Sequence, residues 1–286
     1  MDVFIAFKTI RIFLIIIYCN NAFSIKGEHY NEYISFSSKI TIKINSSGSQ
    51  QILSSYSSIR VPNSIIVNNI SKTPRSKALT LNESSNIIEL TCNTDFTTCS
   101  KMFYKCSSIL EVDLSQFNEI KVTQYNNMFE DCFSLTSVII SNLDTSKIND
   151  MSYMFKNCLN IISLDLSSLN ISEVKKMSYM FSGCKSLKYL NLSNLNATKV
   201  TDMPYMFNDC LNITNLDLSS FNTHSITNMR YMFSGCKSLE YLNLSNLDIS
   251  LATDMSYMFL NCLNIISLDL SSLNTQSVTT MTNMFS

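Results

Sequence analysis

Apolar residues return at a fixed step of 26 residues along most of the chain. Each copy carries a Met-Phe pair followed three residues later by a cysteine, as in Met154-Phe155 and Cys158. The pair recurs with its cysteine at Met102, Met128, Met180, Met206, Met232 and Met258. A fixed step of about 20–50 residues is typical of proteins whose units stack along one axis. The pattern therefore predicts a repeat array.

Within one repeat the apolar spacing changes from period two to a helical spacing. After Cys184, the motif LxxLxLS predicts a short strand over Tyr189–Ser193, and it resembles the strand segment of leucine-rich repeats. Residues 201–209 then follow a spacing of three, four and seven, set by Met203, Met206, Phe207 and Cys210. That spacing favours a short helix or 3₁₀ turn, with a bend between the two elements at residues 194–198.

These elements predict an α/β repeat solenoid. Its coil is expected to be right-handed and leucine-rich-repeat-like, with one short parallel strand and one short helical turn in each 26-residue repeat. The array occupies residues 92–286, with seven repeats and the start of an eighth at Met284-Phe285. Because that last copy has neither its cysteine nor a cap, we expect the array to continue beyond Ser286.

Two segments precede the array. Residues 1–24 resemble a secretory signal peptide, with Lys8 and Arg11 before a short apolar run, Ile12 to Tyr18, that is too short to span a bilayer. A buried first strand is the alternative. Residues 25–91 are rich in Ser, Asn, Ile and Lys, and their alternating isoleucines predict a small β-rich N-terminal cap over the first repeat. A partly disordered serine-rich spacer is the alternative for this segment.

A second step of 52 residues lies beneath the first, because repeats like CLNIISLDLSSLN alternate with repeats like CKSLKYLNLSNLD. The predicted strand face therefore presents alternating Asp and Asn beside a row of serines. Rigid tyrosines among small polar residues make adaptable contacts at low entropic cost. We predict a candidate binding face formed by Asp165, Tyr189, Asn191, Asp217, Tyr241, Asn243 and Asp269. Ordinary solvated positions of a duplicated repeat are the alternative.

Composition and charge narrow the function. With 15% charged residues and a net charge of −1, the chain lacks the basic excess of proteins that bind nucleic acid. Only four glycines and three prolines are present, so we expect turns built from Asn, Asp and Ser. Glycine-rich phosphate-binding motifs are absent, and His29 and His224 lie far apart. We therefore expect no catalytic residues, no cofactor and no metal site.

The cysteines of the array form one column, Cys106, Cys132, Cys158, Cys184, Cys210, Cys236 and Cys262. In-register parallel side chains rarely reach the torsion of a disulfide, so we expect these residues to act as small buried hydrophobic groups. Structural zinc is disfavoured because the array has no CxxC motif. Cys92 and Cys99 fall outside the column, and in a secreted chain a disulfide between them would staple the start of the array.

Eight Asn-x-Ser/Thr sequons occur. Asn191 and Asn243 lie in predicted strands, where a glycan would cover the candidate face. The candidate N-glycosylation sites are therefore Asn45, Asn69, Asn82, Asn170, Asn196 and Asn212. Chance occurrence in an Asn- and Ser-rich chain is the alternative.

The repeat itself carries a family resemblance. The string MSYMFSGCKSLKYLNLSNLNATKV, with its MF-x-x-C-x-x-L-x-x-L-x-L-S pattern, resembles the BspA-like leucine-rich-repeat surface proteins, including the mycoplasma-type surface-protein repeat. The resemblance covers residues 96–286, and Tyr125 and Ala252 are the main departures within the array. It implies a secreted or surface-displayed protein used in adhesion or host interaction, without enzymatic activity. It transfers no specific binding residues.

Two functions follow as expectations. The first is an adhesion or recognition module for an extracellular protein or glycan, with no nucleic-acid partner and no membrane span within this chain. The second is a structural coat or surface antigen without a single ligand. An intracellular interaction scaffold is the expectation only if residues 1–24 are not a signal peptide.

Overall fold

The computed structural model describes residues 38–57, 61–74, 76–92, 96–117, 121–141 and 143–286. The predicted signal peptide lies outside the described residues. The described residues fall in one compact unit, Phe36–Ser286, and form thirteen strands.

Six strands form the N-terminal part: β1 (Ser38–Ile44), β2 (Gly48–Gln51), β3 (Ser64–Val67), β4 (Ile70–Lys72), β5 (Ala78–Leu81) and β6 (Asn86–Cys92). The alternation that predicted β1 buries Ile40, Ile42 and Ile44 on one face. Between β3 and β4, Asn68 and Asn69 have φ values of 48° and 64°. Two successive left-handed residues are what a two-residue hairpin turn requires, and asparagine tolerates them.

The array contributes the remaining strands: β7 (Ile109–Asp113), β8 (Ser137–Ile139), β9 (Ser163–Asp165), β10 (Tyr189–Asn191), β11 (Asn215–Asp217), β12 (Tyr241–Asn243) and β13 (Ser267–Leu268). The six-stranded sheet has the order β4-β3-β6-β1-β7-β8. Strand β1 pairs antiparallel with β7, and β7 pairs parallel with β8. Strands β1, β3, β4 and β6 therefore continue the sheet of the first two repeats, and β2 pairs antiparallel with β5 in a separate two-stranded sheet.

The predicted parallel pairing of array strands is confirmed within three groups, β7–β8, β9–β10 and β11–β12–β13. Tyr189 pairs with Ser163 and Asn191 with Asp165, and the same offset of one repeat joins β11, β12 and β13. Strand β10 ends at Asn191, earlier than the predicted Ser193, because the Asn191 side chain accepts a hydrogen bond from the Ser193 amide and turns the chain.

A second parallel ladder runs through the part of each repeat that carries the Met-Phe pair. It consists of single bridges from Gln124 to Asp150 and onward through Lys176, Asp202, Asn228, Asp254 and Thr280. These bridges join every repeat from Gln124 to Thr280, including the places where β8 and β9, and β10 and β11, are not paired as strands.

The short helix or 3₁₀ turn predicted at residues 201–209 is not confirmed, because the structure has consecutive turns there. The amide of Met206 donates to the carbonyl of Met203 at 3.4 Å, and the amide of Asn208 donates to Tyr205 at 3.1 Å. The intervening amides leave the repeat: Phe207 donates to Met232 of the next repeat at 2.9 Å. An α-helix needs every amide to bond to the carbonyl four residues earlier, and a 3₁₀-helix needs consecutive bonds to the carbonyl three residues earlier, so these alternating bonds form neither.

Left-handed residues also interrupt any helix. Tyr205 has φ 58° and Asp209 has φ 57°, and the equivalent positions of the other repeats are also left-handed. Left-handed conformations do not continue a right-handed helix. The right-handed solenoid stays a prediction, and the array is established as stacked 26-residue repeats with parallel strands.

The core of the array is built from columns of identical residues. One column stacks eight phenylalanine rings with centroids 5.2–6.0 Å apart and interplanar angles of 3–12°, in the order Phe103, Phe129, Phe155, Phe181, Phe207, Phe233, Phe259 and Phe285. All but Phe285 are buried. Buried offset aromatic pairs add roughly 0.5–1.5 kcal/mol beyond the area that they bury. Ring stacking in this column therefore stabilises the packing of each repeat against its neighbours.

The 52-residue step has a steric counterpart beside this column. Gly183 and Gly235 are left-handed, with φ values of 75° and 77°, while the preceding repeats carry Asn157 and Asp209 at the same position. A Cβ at Gly183 would overlap Asn157 Oδ1, and a Cβ at Gly235 would overlap Asp209 Oδ1. Glycine thus makes room for the side chain of the repeat before it.

Gly183→Ala is expected to lower the free energy of unfolding by about 2 kcal/mol. A left-handed alanine costs about 1 kcal/mol, and moving the Asn157 amide away from its hydrogen bond to Asp131 costs about as much again. The urea midpoint and slope measure the change. Gly48→Ala is the matched control, since Gly48 has φ 81° and nothing within 4 Å of its Cβ position. It is expected to lose about 1 kcal/mol only. Equal losses in the two variants would rule out the steric contribution.

Candidate functional site

The outward residues of β8–β13 form a surface that we name the strand face. The middle residue of each strand, such as Leu164 or Leu216, points into the core, and its two neighbours point outward. Every residue predicted for the candidate binding face is exposed here: Asp165, Tyr189, Asn191, Asp217, Tyr241, Asn243 and, just after β13, Asp269. The predicted residues are therefore all exposed, on two paired groups of strands, β9–β10 and β11–β12–β13 with Asp269.

The Asp/Asn row has a structural role that sequence reasoning missed. Oδ1 of each side chain accepts a hydrogen bond from the serine amide two residues later, at 2.8–3.1 Å, in the pairs Asp165–Ser167, Asn191–Ser193, Asp217–Ser219, Asn243–Ser245 and Asp269–Ser271. Such an Asx turn ends the strand without glycine. The Asp/Asn-x-Ser spacing was the available signal, and the expectation that Asn, Asp and Ser build the turns is confirmed.

Alternation of Asp and Asn also limits repulsion along the row. Like charges on directly paired strands are destabilising, and an Asn between two Asp residues prevents that pairing. Hydrogen bonds from Ser167, with a further one from Asn191, lower the pKa of Asp165, and bonds from Ser271 lower the pKa of Asp269. These carboxyl groups are therefore ionised at neutral pH.

Two tyrosines stand beside the polar row. Tyr189 is 60% exposed and Tyr241 is 51% exposed. The ammonium of Lys188 lies 5.3 Å from the centroid of the Tyr189 ring, and Glu240 precedes Tyr241 in the chain. Each ring is available to a ligand as an apolar surface with a polar tip.

A second set of tyrosines differs in this respect. Their rings are half-buried and stack on one another with centroids 4.5–4.8 Å apart, in the order Tyr153, Tyr179, Tyr205, Tyr231 and Tyr257. Lys156 and Arg230 lie over rings of this column. Burial raises the pKa of Tyr179 and Tyr205. Because neighbouring rings cover the ring faces, this column stabilises the array, whereas the rings of Tyr189 and Tyr241 are exposed.

The cysteine column lies in the core, as expected. Cys106 through Cys236 are buried and Cys262 is half-buried, and all seven are free thiols. Each thiol from Cys132 onward donates to a phenylalanine carbonyl of the preceding repeat, as Cys184 does to Phe155 at 3.1 Å. Burial raises the pKa of Cys184 to about 12. Nucleophilic thiol chemistry needs a thiolate, so this column is unsuited to it.

The other predicted modification sites lie at the surface or near the first repeat. Cys92 ends β6, and both Cys92 and Cys99 are buried; their disulfide stays a prediction. The six candidate sequon residues, Asn45, Asn69, Asn82, Asn170, Asn196 and Asn212, are all exposed, and their glycosylation also stays a prediction.

The described residues show neither a metal-ion site nor a membrane-spanning helix. No group of three or more His, Cys, Asp or Glu side chains there could hold a metal ion. The described residues contain no helix with the length and apolar character needed to cross a membrane. His224 lies 3.7 Å from Asp248, with both side chains largely exposed.

Comparisons with known proteins bear on the array. No curated protein matches the chain. A solved structure titled "Crystal structure of T. pallidum Leucine Rich Repeat protein (TpLRR)" shares 21% identity with a TM-score of 0.40, covering 58% of this chain and 69% of that one. The family described as "Mycoplasma protein of unknown function, DUF285" matches at residues 97–216 and 184–286. These matches span well over half of the chain, and the expectation of a mycoplasma-type repeat is confirmed: the chain belongs to the DUF285 family.

Proposed function

We propose that this protein is a non-enzymatic recognition module, secreted or displayed at the cell surface, whose strand face binds an extracellular protein or glycan. The observation that carries the proposal is the placement of two exposed tyrosines, Tyr189 and Tyr241, beside a regular polar row on one surface. Aromatic residues are enriched where proteins meet their partners, and small polar neighbours provide adaptable hydrogen bonds.

Rigidity of the strand face supports the proposal. The outward side chains of Asp165 and Asn191 are fixed by hydrogen bonds to their Asx turns, and their strands are paired in register. A surface that is ordered before binding loses little conformational entropy on association. The array therefore offers a preorganised surface of several strands.

The arrangement does not suit catalysis. Asp165 and Asp217 stand on alternate strands, so their carboxyl groups are about 10 Å apart on an open surface. Paired-carboxylate and thiol mechanisms require closer groups or an ionised, accessible cysteine. Buried, protonated thiols such as that of Cys184 do not meet that requirement.

One observation favours a structural coat or surface antigen as the second candidate. The Asx turns account for the Asp/Asn row without any ligand. A row that serves the fold alone would be retained in a protein whose repeats only build a surface. A substitution that tests binding must therefore keep the Asx turn and change only the atoms that a ligand would contact.

Replacing Asp165, Asp217 and Asp269 together with Asn is expected to abolish saturable binding of the full chain to intact epithelial cells or a basement-membrane extract. Asn keeps the Asx turn, as Asn191 and Asn243 show, but it removes the charge and places an amide where the second carboxylate oxygen stood. Binding isotherms of the labelled chain provide the measurement. The matched control is Asp144→Asn, at an exposed Asx turn outside the strand face. Unchanged binding by the triple variant would remove the row from the site, and no binding by the native chain to either probe would favour the coat.

A further inference from the structure

The strand face repeats every second strand. Because Oδ1 of every residue in the row is bound to a serine amide, the remaining atom is a carboxylate oxygen in Asp and an amide nitrogen in Asn. The row therefore reads acceptor, donor, acceptor, donor, acceptor, in the order Asp165, Asn191, Asp217, Asn243 and Asp269. The Asn191 amide also donates to Asp165. An amide group has two N–H donors and a carboxylate accepts several hydrogen bonds, so both groups can still bond to a ligand.

The tyrosines follow the same double step. Tyr189 and Tyr241 stand on the strands that carry Asn191 and Asn243, and Asn215 takes the tyrosine position on the strand between them. The two tyrosines stand two repeats apart, and the bridges Lys176–Asp202–Asn228 join those repeats to the one between them. At about 5 Å per repeat, the surface pattern repeats at about 10 Å along the array.

Charge restricts the class of ligand. The outward side chains of β9–β13, with Asp269 just beyond, include three carboxylates. Lys188 stands one residue before β10, and Glu240 stands one residue before β12. An excess of negative charge opposes a sulfated or carboxylated polymer. A neutral chain rich in hydroxyl groups can donate to the carboxylates and accept from the amides.

The period discriminates between two elongated ligands. A peptide in a β-strand repeats its side chains at about 7 Å, which does not match a pattern of about 10 Å. In an extended β-linked polysaccharide every second sugar presents the same face. Alternate sugars of one polysaccharide chain can therefore stack on successive tyrosines of the strand face.

We propose that the ligand of the strand face is a neutral, extended β-linked polysaccharide that lies along the array, across the strands. Tyr189 and Tyr241 stack beneath alternate sugars, and the Asp/Asn row bonds to their hydroxyl groups. This inference rests on the proposed recognition function and names its ligand class.

A pair of gain-of-function variants tests the period. Ser137 and Ser163 are both exposed first residues of three-residue strands, two repeats and one repeat before Tyr189. Ser137→Tyr adds a third ring in phase with the existing two, and it is expected to strengthen binding of the full chain to insoluble cellulose or chitin roughly tenfold. Ser163→Tyr adds the same ring out of phase and is expected to leave the affinity unchanged. The double variant Tyr189→Ala, Tyr241→Ala is expected to lose binding roughly tenfold or more.

The outcomes separate this inference from the recognition function. Equal effects of Ser137→Tyr and Ser163→Tyr, or no binding of the native chain to cellulose and chitin, overturn the polysaccharide. If the native chain still binds epithelial cells and loses that binding when the cells are treated with protease, the ligand is a protein and the recognition function stands. If neither cells nor polysaccharides are bound, both proposals fail. Melting curves of the two serine variants verify that each is folded.

Discussion

Raising the pH from 8 to 11 is expected to destabilise the array by several kcal/mol through its buried thiols. Burial raises the pKa of Cys106 and Cys184 to about 12, and it raises the pKa of Cys132, Cys158 and Cys210 as well. Below the unfolded pKa of about 9, each thiol is protonated in both states and adds no pH dependence. Between about 9 and 12 the unfolded chain releases the proton and the folded chain retains it. Stability therefore falls by about 1.4 kcal/mol per pH unit for each such thiol.

Urea midpoints recorded at pH 8, 9, 10 and 11 in the presence of a phosphine reductant measure this slope. Raised pKa values of Tyr179 and Tyr205 act in the same direction, so a cysteine variant is needed to isolate the thiols. Cys184→Ala is expected to reduce the slope by about 1.4 kcal/mol per pH unit above pH 9, whatever it does to stability at pH 8. An identical slope in that variant would contradict a buried, protonated Cys184.

Phe181→Ala is expected to lower the free energy of unfolding by about 3–5 kcal/mol, because it leaves a cavity at the centre of the phenylalanine column. Phe181 is fully buried, and its ring stacks on Phe155 at 6.0 Å and on Phe207 at 5.4 Å. Both neighbouring repeats lose a contact, so the loss is shared across the array. Urea denaturation followed by circular dichroism provides the measurement.

Phe285→Ala is the control for this substitution. Phe285 occupies the same position in its repeat, but it is 64% exposed and stacks only on Phe259, at 5.3 Å. The expected loss is below about 1 kcal/mol, since little apolar area is returned to water. If the two alanine variants were equally destabilised, the column would not be the source of the stability.

The strands of the array follow from sequence because their apolar period is unambiguous. In LxxLxLS the alternate leucines point inward, and the residues on either side of them point outward. Tyr189 and Asn191 could therefore be placed on one face. The helical prediction failed because consecutive turns give the same apolar spacing of three and four as a helix. A signal for turns was present at Asn157, Gly183 and Asp209, since Asn, Gly and Asp favour left-handed backbone.

Two features were beyond the reach of local pattern. Tyrosine is not a usual left-handed residue, and Tyr179 adopts φ 59° because its ring stacks between two neighbours and its amide bonds to the next repeat. Pairing of β1 with β7 joins segments about seventy residues apart, as in Thr41 with Asp113, and no short-range periodicity encodes it. The polar row was found, but its part in ending the strands depends on hydrogen-bond geometry that the residue types alone do not specify.

The constant offset of one repeat between bonded partners has a consequence for biosynthesis. From Gln124 onward, the bridge ladder bonds each repeat to the one made 26 residues earlier, and β1 is complete before the array begins. A ribosome that adds about 5–20 residues per second delivers one repeat in roughly 1–5 s. Each repeat then finds a finished template, with a loop to close that never lengthens as the chain grows. We therefore expect the array to fold from its N-terminal end during synthesis, with only the newest repeat exposing its apolar side at any moment.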